Sequence, residues 1–365
     1  MRHIHRSLNK TLVALSIAAA GSLSSTLPAQ AQTGPAVQSQ QLPQVVVLAT
    51  GGTIAGTGAS DTQTTAYQSG VLTGAALVRS VPSLDKIARV SAEQISNVGS
   101  DNMTNEILLK LAKRVNALLA QPDVAGVVIT HGTDTLEETA YFLNLVVKSD
   151  KPVVITGAMR PSTAIGADGP SNILQSVKLA ATPEAKGRGV MVVLSDRIGS
   201  ARYSTKTNGN TLDTFQGRDA GYIGTLVDQV PHFETSVLKK HTTATPFDVS
   251  KLEKLPEVAI VMHYQGDSGF MYDAAVEQGV KGIVAASVGA GSTSLRSIPS
   301  IKKAIDRGVI VVRSSRTASG FVPVDAAYPG LVADSLNPQK ARILLMLALT
   351  VTQDAESIQA MFRQF

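Results

Sequence analysis

The sequence predicts a two-domain α/β protein built on parallel sheets, and three observations carry that expectation. Short apolar runs of strand length alternate with segments whose apolar residues recur at helical spacing. The runs are apolar throughout instead of alternating, as strands covered on both faces require. The chain has 365 residues, 44% hydrophobic and 17% charged, which is long enough for two domains and outside the composition of disordered chains.

The elements follow in order. Arg2, Arg6 and Lys10 form a positive region, residues 11–20 a short apolar core, and Ala29-Gln30-Ala31 a small-x-small site. This layout predicts a signal peptide over 1–31, cleaved after Ala31, and export, most simply to a bacterial periplasm. The apolar core is too short to span a bilayer, so no membrane association is expected. Residues 32–44 are polar and contain Pro, predicting a disordered lead-in. Strands are predicted at 45–50, 125–130, 153–156 and 189–194. Helices are predicted at 105–119, with Thr104 as N-cap, at 136–147, where Glu137 and Glu138 suit the positive end of the dipole, and at 171–181. Pro231 to Pro256 lacks sustained periodicity and reads as a connection. A second alternating block follows, with strands at 258–263, 282–287 and 309–313. Its helices are at 272–278, 300–306, 338–350 and 355–362. The division is an N-terminal domain over 45–235, a linker over 236–256 and a C-terminal domain over 257–365.

Composition removes several classes of function. Without Cys there is no disulfide, thiol nucleophile or thiolate metal site. The six His do not cluster with carboxylates at metal spacing, so no metal is expected. The lack of Trp and the 4% aromatic content argue against a base-stacking surface. The net charge of +5 is scattered, with part of it in the leader, so no nucleic-acid partner is expected.

Two segments carry chemistry. In Thr50-Gly51-Gly52-Thr53-Ile54-Ala55-Gly56-Thr57-Gly58 a Gly-rich turn after a buried strand exposes Thr53. The glycines alone could serve a dinucleotide, but no clear helix follows and no acid marks the end of a second strand. A Thr hydroxyl becomes a nucleophile when a base takes its proton; the bland alternative is a Thr that packs the turn. In Thr130-His131-Gly132-Thr133-Asp134-Thr135 the hydroxyl of Thr133 and the carboxylate of Asp134 follow another buried strand. Lys206 lies in a polar loop that can reach the same sheet edge. A Thr–Lys–Asp set has acyl-transfer logic, with Lys accepting the hydroxyl proton and Asp orienting Lys; a structural ion pair is the alternative. His131 reads as a packed strand-end residue. No Gly-x-Ser-x-Gly elbow is present. An amino-acid binding protein and an NAD-dependent reductase remain as other classes.

These two segments resemble the signatures of the bacterial type II L-asparaginase and glutaminase-asparaginase family. Further matches are Gly157-Ala158-Met159-Arg160-Pro161-Ser162, Ala167-Asp168-Gly169-Pro170, Thr205-Lys206-Thr207-Asn208, Arg313-Ser314-Ser315-Arg316 and Leu336-Asn337-Pro338-Gln339-Lys340-Ala341-Arg342. The resemblance covers nearly everything after the leader. It implies a larger N-terminal doubly wound, flavodoxin-like parallel sheet and a smaller C-terminal α/β domain. It also implies cofactor-free hydrolysis of L-asparagine to L-aspartate and ammonia, and leaves open whether L-glutamine is a second substrate, as in a glutaminase-asparaginase. Carried over by motif, Thr53 is the nucleophile with Tyr67 beside it, and Thr133, Asp134 and Lys206 form a second catalytic set. Ser100 and Asp101, together with Thr133 and Asp134, would hold the substrate's α-carboxylate and α-amine, and Ser292 would reach the site from a neighbouring subunit of a homotetramer. Two departures stand out. Asp101 occupies a position where the family usually has Gln or Glu. Ala327 occupies the position of a Glu that the neighbouring subunit usually supplies, with Asp325 close by as a substitute.

Overall fold

Eight strands form the larger of two main sheets in the computed structural model, which describes residues 41–365. The expected signal peptide (1–31) and most of the expected lead-in lie outside those residues. From the N-terminal side the elements are β1 (Gln44–Gly51), α1 (Gly74–Arg79), β2 (Arg89–Val98), α2 (Asn105–Leu119), β3 (Val124–Thr130), α3 (Leu136–Val146), β4 (Val153–Thr156), α4 (Gly169–Ala180) and β5 (Val190–Leu194). Then come β6 (Arg197–Ser200), the short pair β7 (Thr205–Lys206) and β8 (Phe215–Gln216), β9 (Gly224–Val227) and β10 (Val230–Phe233). Gln44, expected in the lead-in, already belongs to β1, because its backbone pairs with Arg89 and Val124 on either side.

The strand order is β10-β9-β6-β5-β4-β3-β1-β2, and the run β2-β1-β3-β4-β5 is parallel. The order reverses between β1 and β3, which opens a crevice beyond their carboxyl ends. Both threonine turns leave the sheet at this point. The apolar strands are apolar for the reason expected. Val46, Leu48, Val127 and Ile129 face a core shared with α2 and α3, while Val45, Val47, Val128 and Val154 face another that contains residues of α1 and α4. Past β5 the sheet continues antiparallel through β6, β9 and β10. The last three residues of β10, from Pro231 to Phe233, fall inside the stretch read as a connection.

The second sheet is parallel, in the order β11 (Val258–Met262), β12 (Gly282–Ser287), β13 (Ile310–Ser315) and β14 (Leu331–Val332). Around it lie α5 (Phe270–Glu277), α6 (Ile298–Asp306), α7 (Pro338–Ala348) and α8 (Ala355–Gln364). Helix α7 is buried along almost its whole length, packing on α3 as well as on β11 and β12. Its apolar side chains therefore join the cores of both sheets, and each fully buried Leu contributes about 1.5–3 kcal/mol. The expected linker is also anchored: Phe247 is buried and meets Phe365 edge-on, with ring centroids 5.4 Å apart. No helix among the described residues is long and apolar enough to cross a membrane.

Candidate active site

The first threonine turn is shaped by a close backbone approach. Gly52 has φ +80°, and a Cβ placed there would lie 2.3 Å from the backbone of Gly132. The two turns are thus pressed together with no room for a side chain between them. Thr53 then opens a short 3-10 turn, nearly buried, and its hydroxyl lies 2.7 Å from that of Tyr67. Tyr67 arrives on a loop that folds back over the turn. The backbones of Thr57 and Gln68 exchange hydrogen bonds of 3.0 and 3.2 Å, and Ile165 N donates to Asp61 O at 2.8 Å.

The second turn follows β3. His131 is fully buried; since the Gly132 carbonyl 2.6 Å away can only accept, Nδ1 carries the proton and Nε2 faces the Thr139 hydroxyl at 2.9 Å. Burial pushes its pKa down to about 4, partly opposed by the Gly132 hydrogen bond. It is a packed residue, as read from the sequence. Beyond it, Asp134 N donates to Ser100 Oγ at 3.1 Å, and the Thr135 hydroxyl donates to Ser100 O at 2.7 Å. These bonds tie the Thr133–Asp134 turn to the segment holding Ser100 and Asp101. From β7, Lys206 Nζ donates to Thr133 Oγ1 at 2.8 Å and to Asp134 Oδ1 at 2.6 Å. The Lys206 side chain is 13% exposed and that of Asp134 68%, so the carboxylate faces the open side while the ammonium sits below it.

A cleft of about 720 Å³ collects Thr53, Tyr67, Ser100, Asp101, Thr133, Asp134 and Lys206. Ser292 is elsewhere: it lies in the turn after β12, where Ser292 N bonds to Val288 O, and it does not line its own chain's cleft. Asp325 and Ala327 are exposed, joined by a 2.9 Å bond from Ala327 N to Asp325 Oδ1. The lining residues given no role from sequence include Met159, Arg160 and Asn210. The loop of the first two is anchored by Asp168, whose carboxylate accepts from the backbone N–H of both. The prior signals for it were the sequence matches at 157–162 and 167–170. No group of three or more His, Asp or Glu suited to a metal occurs among the described residues. The arrangement offers two hydroxyls, each with a proton-handling partner, and carboxylates on the open side that suit an ammonium group.

Two family descriptions match the chain: "Asparaginase, N-terminal" over residues 44–239 and "Glutaminase/Asparaginase C-terminal domain" over 257–362. It is 56% identical to L-asparaginase 2 of Bacillus subtilis over 90% of this chain and 88% of that one. It is 44% identical to a probable periplasmic L-asparaginase of Haemophilus influenzae, covering 89% of this chain and 93% of the relative. Among solved structures, one titled probable cytoplasmic L-asparaginase from Campylobacter jejuni superposes with a TM-score of 0.87 at 48% identity, over 88% of this chain and all of that one.

Proposed function

The chain belongs to the asparaginase family, and from that premise we propose that it hydrolyses the side-chain amide of L-asparagine to L-aspartate and ammonia, with L-glutamine as a second substrate. The observation that carries this reading is the convergence of Thr53–Tyr67 and Thr133–Lys206–Asp134 on one cleft.

Thr53 attacks the amide carbon as its hydroxyl proton passes to the Tyr67 oxygen, 2.7 Å away, while Tyr67 gives up its own phenolic proton to water in the open cleft. The tetrahedral oxyanion is held by backbone N–H groups of the glycine turns. Among the described residues neither Thr53 N nor Thr133 N has another hydrogen-bond acceptor, which suits them to that task. The Thr133–Lys206–Asp134 set delivers the proton with which ammonia leaves. Water then attacks the acyl-enzyme, releasing aspartate and restoring the hydroxyl. Ser100, Asp101 and Asp134 orient the α-carboxylate and α-ammonium. Ser292 and the Asp325–Ala327 loop act on the site of a neighbouring subunit in a homotetramer. Exposed apolar residues at the edge strand β11 and beyond it, Met262, Tyr264 and Phe270, support such association. Export follows from the N-terminal leader pattern.

Ammonia release from L-asparagine and L-glutamine, measured side by side, tests the activity. Thr53→Ala is expected to lower kcat by a factor on the order of 10³ or more while still binding aspartate; near-normal turnover rejects the nucleophile assignment. The 2.8 Å contact from Lys206 to Thr133 favours one rival, in which Thr133 forms the acyl-enzyme. Mass spectrometry of a quenched reaction decides between them by which threonine carries the aspartyl adduct.

A further inference from the structure

Lys206 reaches its partners from a strand of only two residues, paired with another of two. Such a ladder cannot fix a side chain by itself. What holds it lies behind the cleft. Lys340 Nζ, in the first turn of α7, donates to the carbonyls of Arg202 at 3.0 Å and Ser204 at 2.5 Å, just ahead of β7. Asn337 Nδ2 donates to Thr205 Oγ1 at 3.3 Å. The same turn also grips the other arm of the catalytic set. Asn337 Nδ2 and Gln339 Nε2 donate to the Glu137 carboxylate at 3.3 and 2.7 Å, and Lys340 Nζ lies 3.7 Å from it. Glu137 follows Asp134 by three residues, in the first turn of α3.

Glu137 and Lys340 are almost completely buried. Buried ion pairs are poor sources of net stability, because desolvation offsets most of their attraction. Helices α3 and α7 touch, and both already give buried apolar residues to one core, among them Leu136, Ala140, Leu143, Leu344 and Leu347. Adhesion between the helices therefore leaves this pair unexplained. Its geometry explains it better, because one point on α7 is bonded both to the backbone that carries Lys206 and to the turn that follows Thr133 and Asp134.

We propose that Glu137 and Lys340 are positioning residues through which the first turn of α7 sets the distance from Lys206 Nζ to the Thr133 hydroxyl in the same chain. The proposal rests on the catalytic reading of Lys206 above. Misplacement of a reacting group by about 1 Å can cost on the order of 10²-fold in rate without loss of ground-state binding.

The test is a series in the purified protein: Gln339→Ala, Glu137→Gln, Lys340→Met, and Glu137→Gln combined with Lys340→Met. Each is assayed for kcat and KM with L-asparagine, for L-aspartate affinity and for thermal unfolding. For the charge variants kcat is expected to fall roughly 10- to 100-fold. Their KM and aspartate affinity should stay within about threefold of wild type. The double variant should regain melting temperature relative to either single one without regaining kcat. Gln339→Ala removes one half-buried contact and folds in any case; its kcat should fall by about threefold or more. Wild-type kcat in any folded charge variant, or in Gln339→Ala, overturns the proposal, as does a KM that rises in step with the loss of kcat. Lys206→Met is the control: if it turns over normally, the catalytic reading of Lys206 fails, whereas an inactive Lys206→Met beside fully active positioning variants sinks only the present inference.

Discussion

Two ionisable side chains near the Thr133 turn respond to pH in opposite senses. His131 is held neutral by burial with a pKa of about 4, below its ordinary 6.5. The unfolded chain therefore binds the extra proton, and stability is lost as pH falls from about 6.5 towards 4. Burial pushes the Glu138 carboxyl up to about 7, with Arg342 opposing and Glu137 reinforcing. Its ordinary value is 4.5, so the folded state binds the extra proton, and stability declines as pH rises from about 4.5 through 7. Glu138→Gln is expected to remove that decline. Its gain over wild type should be near zero at pH 4.5 and about 3 kcal/mol at pH 8, read from denaturant unfolding at both values. A gain of equal size at the two pH values would mean that packing, not ionisation, is responsible. Individual residues were the most legible scale: each hydroxyl, carboxylate and ammonium assigned to the cleft from this chain's own motifs lines it. Sequence motifs record such groups because their chemistry has few substitutes.

At the scale of elements the contact between the two glycine turns is the strictest constraint. Gly52→Ala would put a methyl into the backbone of Gly132 at a positive φ, forcing β1 and β3 apart at their carboxyl ends. The turn carrying Thr53 would then move relative to Thr133, and kcat is expected to drop by about 100-fold or more. The melting temperature should fall as well, and activity assays beside thermal unfolding check both. Long elements were readable from pattern alone; α2 runs over the residues expected, with Thr104 Oγ1 accepting from Ile107 N at its cap. Strand β2 was not readable, because it is an edge strand in which polar residues such as Arg89, Ser91, Glu93 and Gln94 break the continuous apolar run that marks the inner parallel strands. The antiparallel extension escaped for a different reason. The β5–β6 and β9–β10 hairpins turn through Ser195-Asp196 and Asp228-Gln229, all four at positive φ, without the glycine that usually signals such turns.

For the whole molecule, the two-domain outline was legible because apolar strands and helices alternate on both sides of a stretch without periodicity. The wiring between the two sheets was not. Glu137 and Lys340 are 203 positions apart, and nothing local in either segment names the other. Assembly is a separate matter at this scale. If Ser292 completes a neighbour's site, light scattering should give the mass of four chains, and specific activity should fall when dilution separates them. A fully active monomer would instead show that one chain's cleft is sufficient. The position of α7 also bears on synthesis. All the cleft residues named here lie before residue 211, so the large sheet can emerge from the ribosome with its chemical groups in place. The turn that braces them arrives only with residues 337–340, close to the end of translation. A growing chain would thus carry an unfinished machine until its last tenth is made.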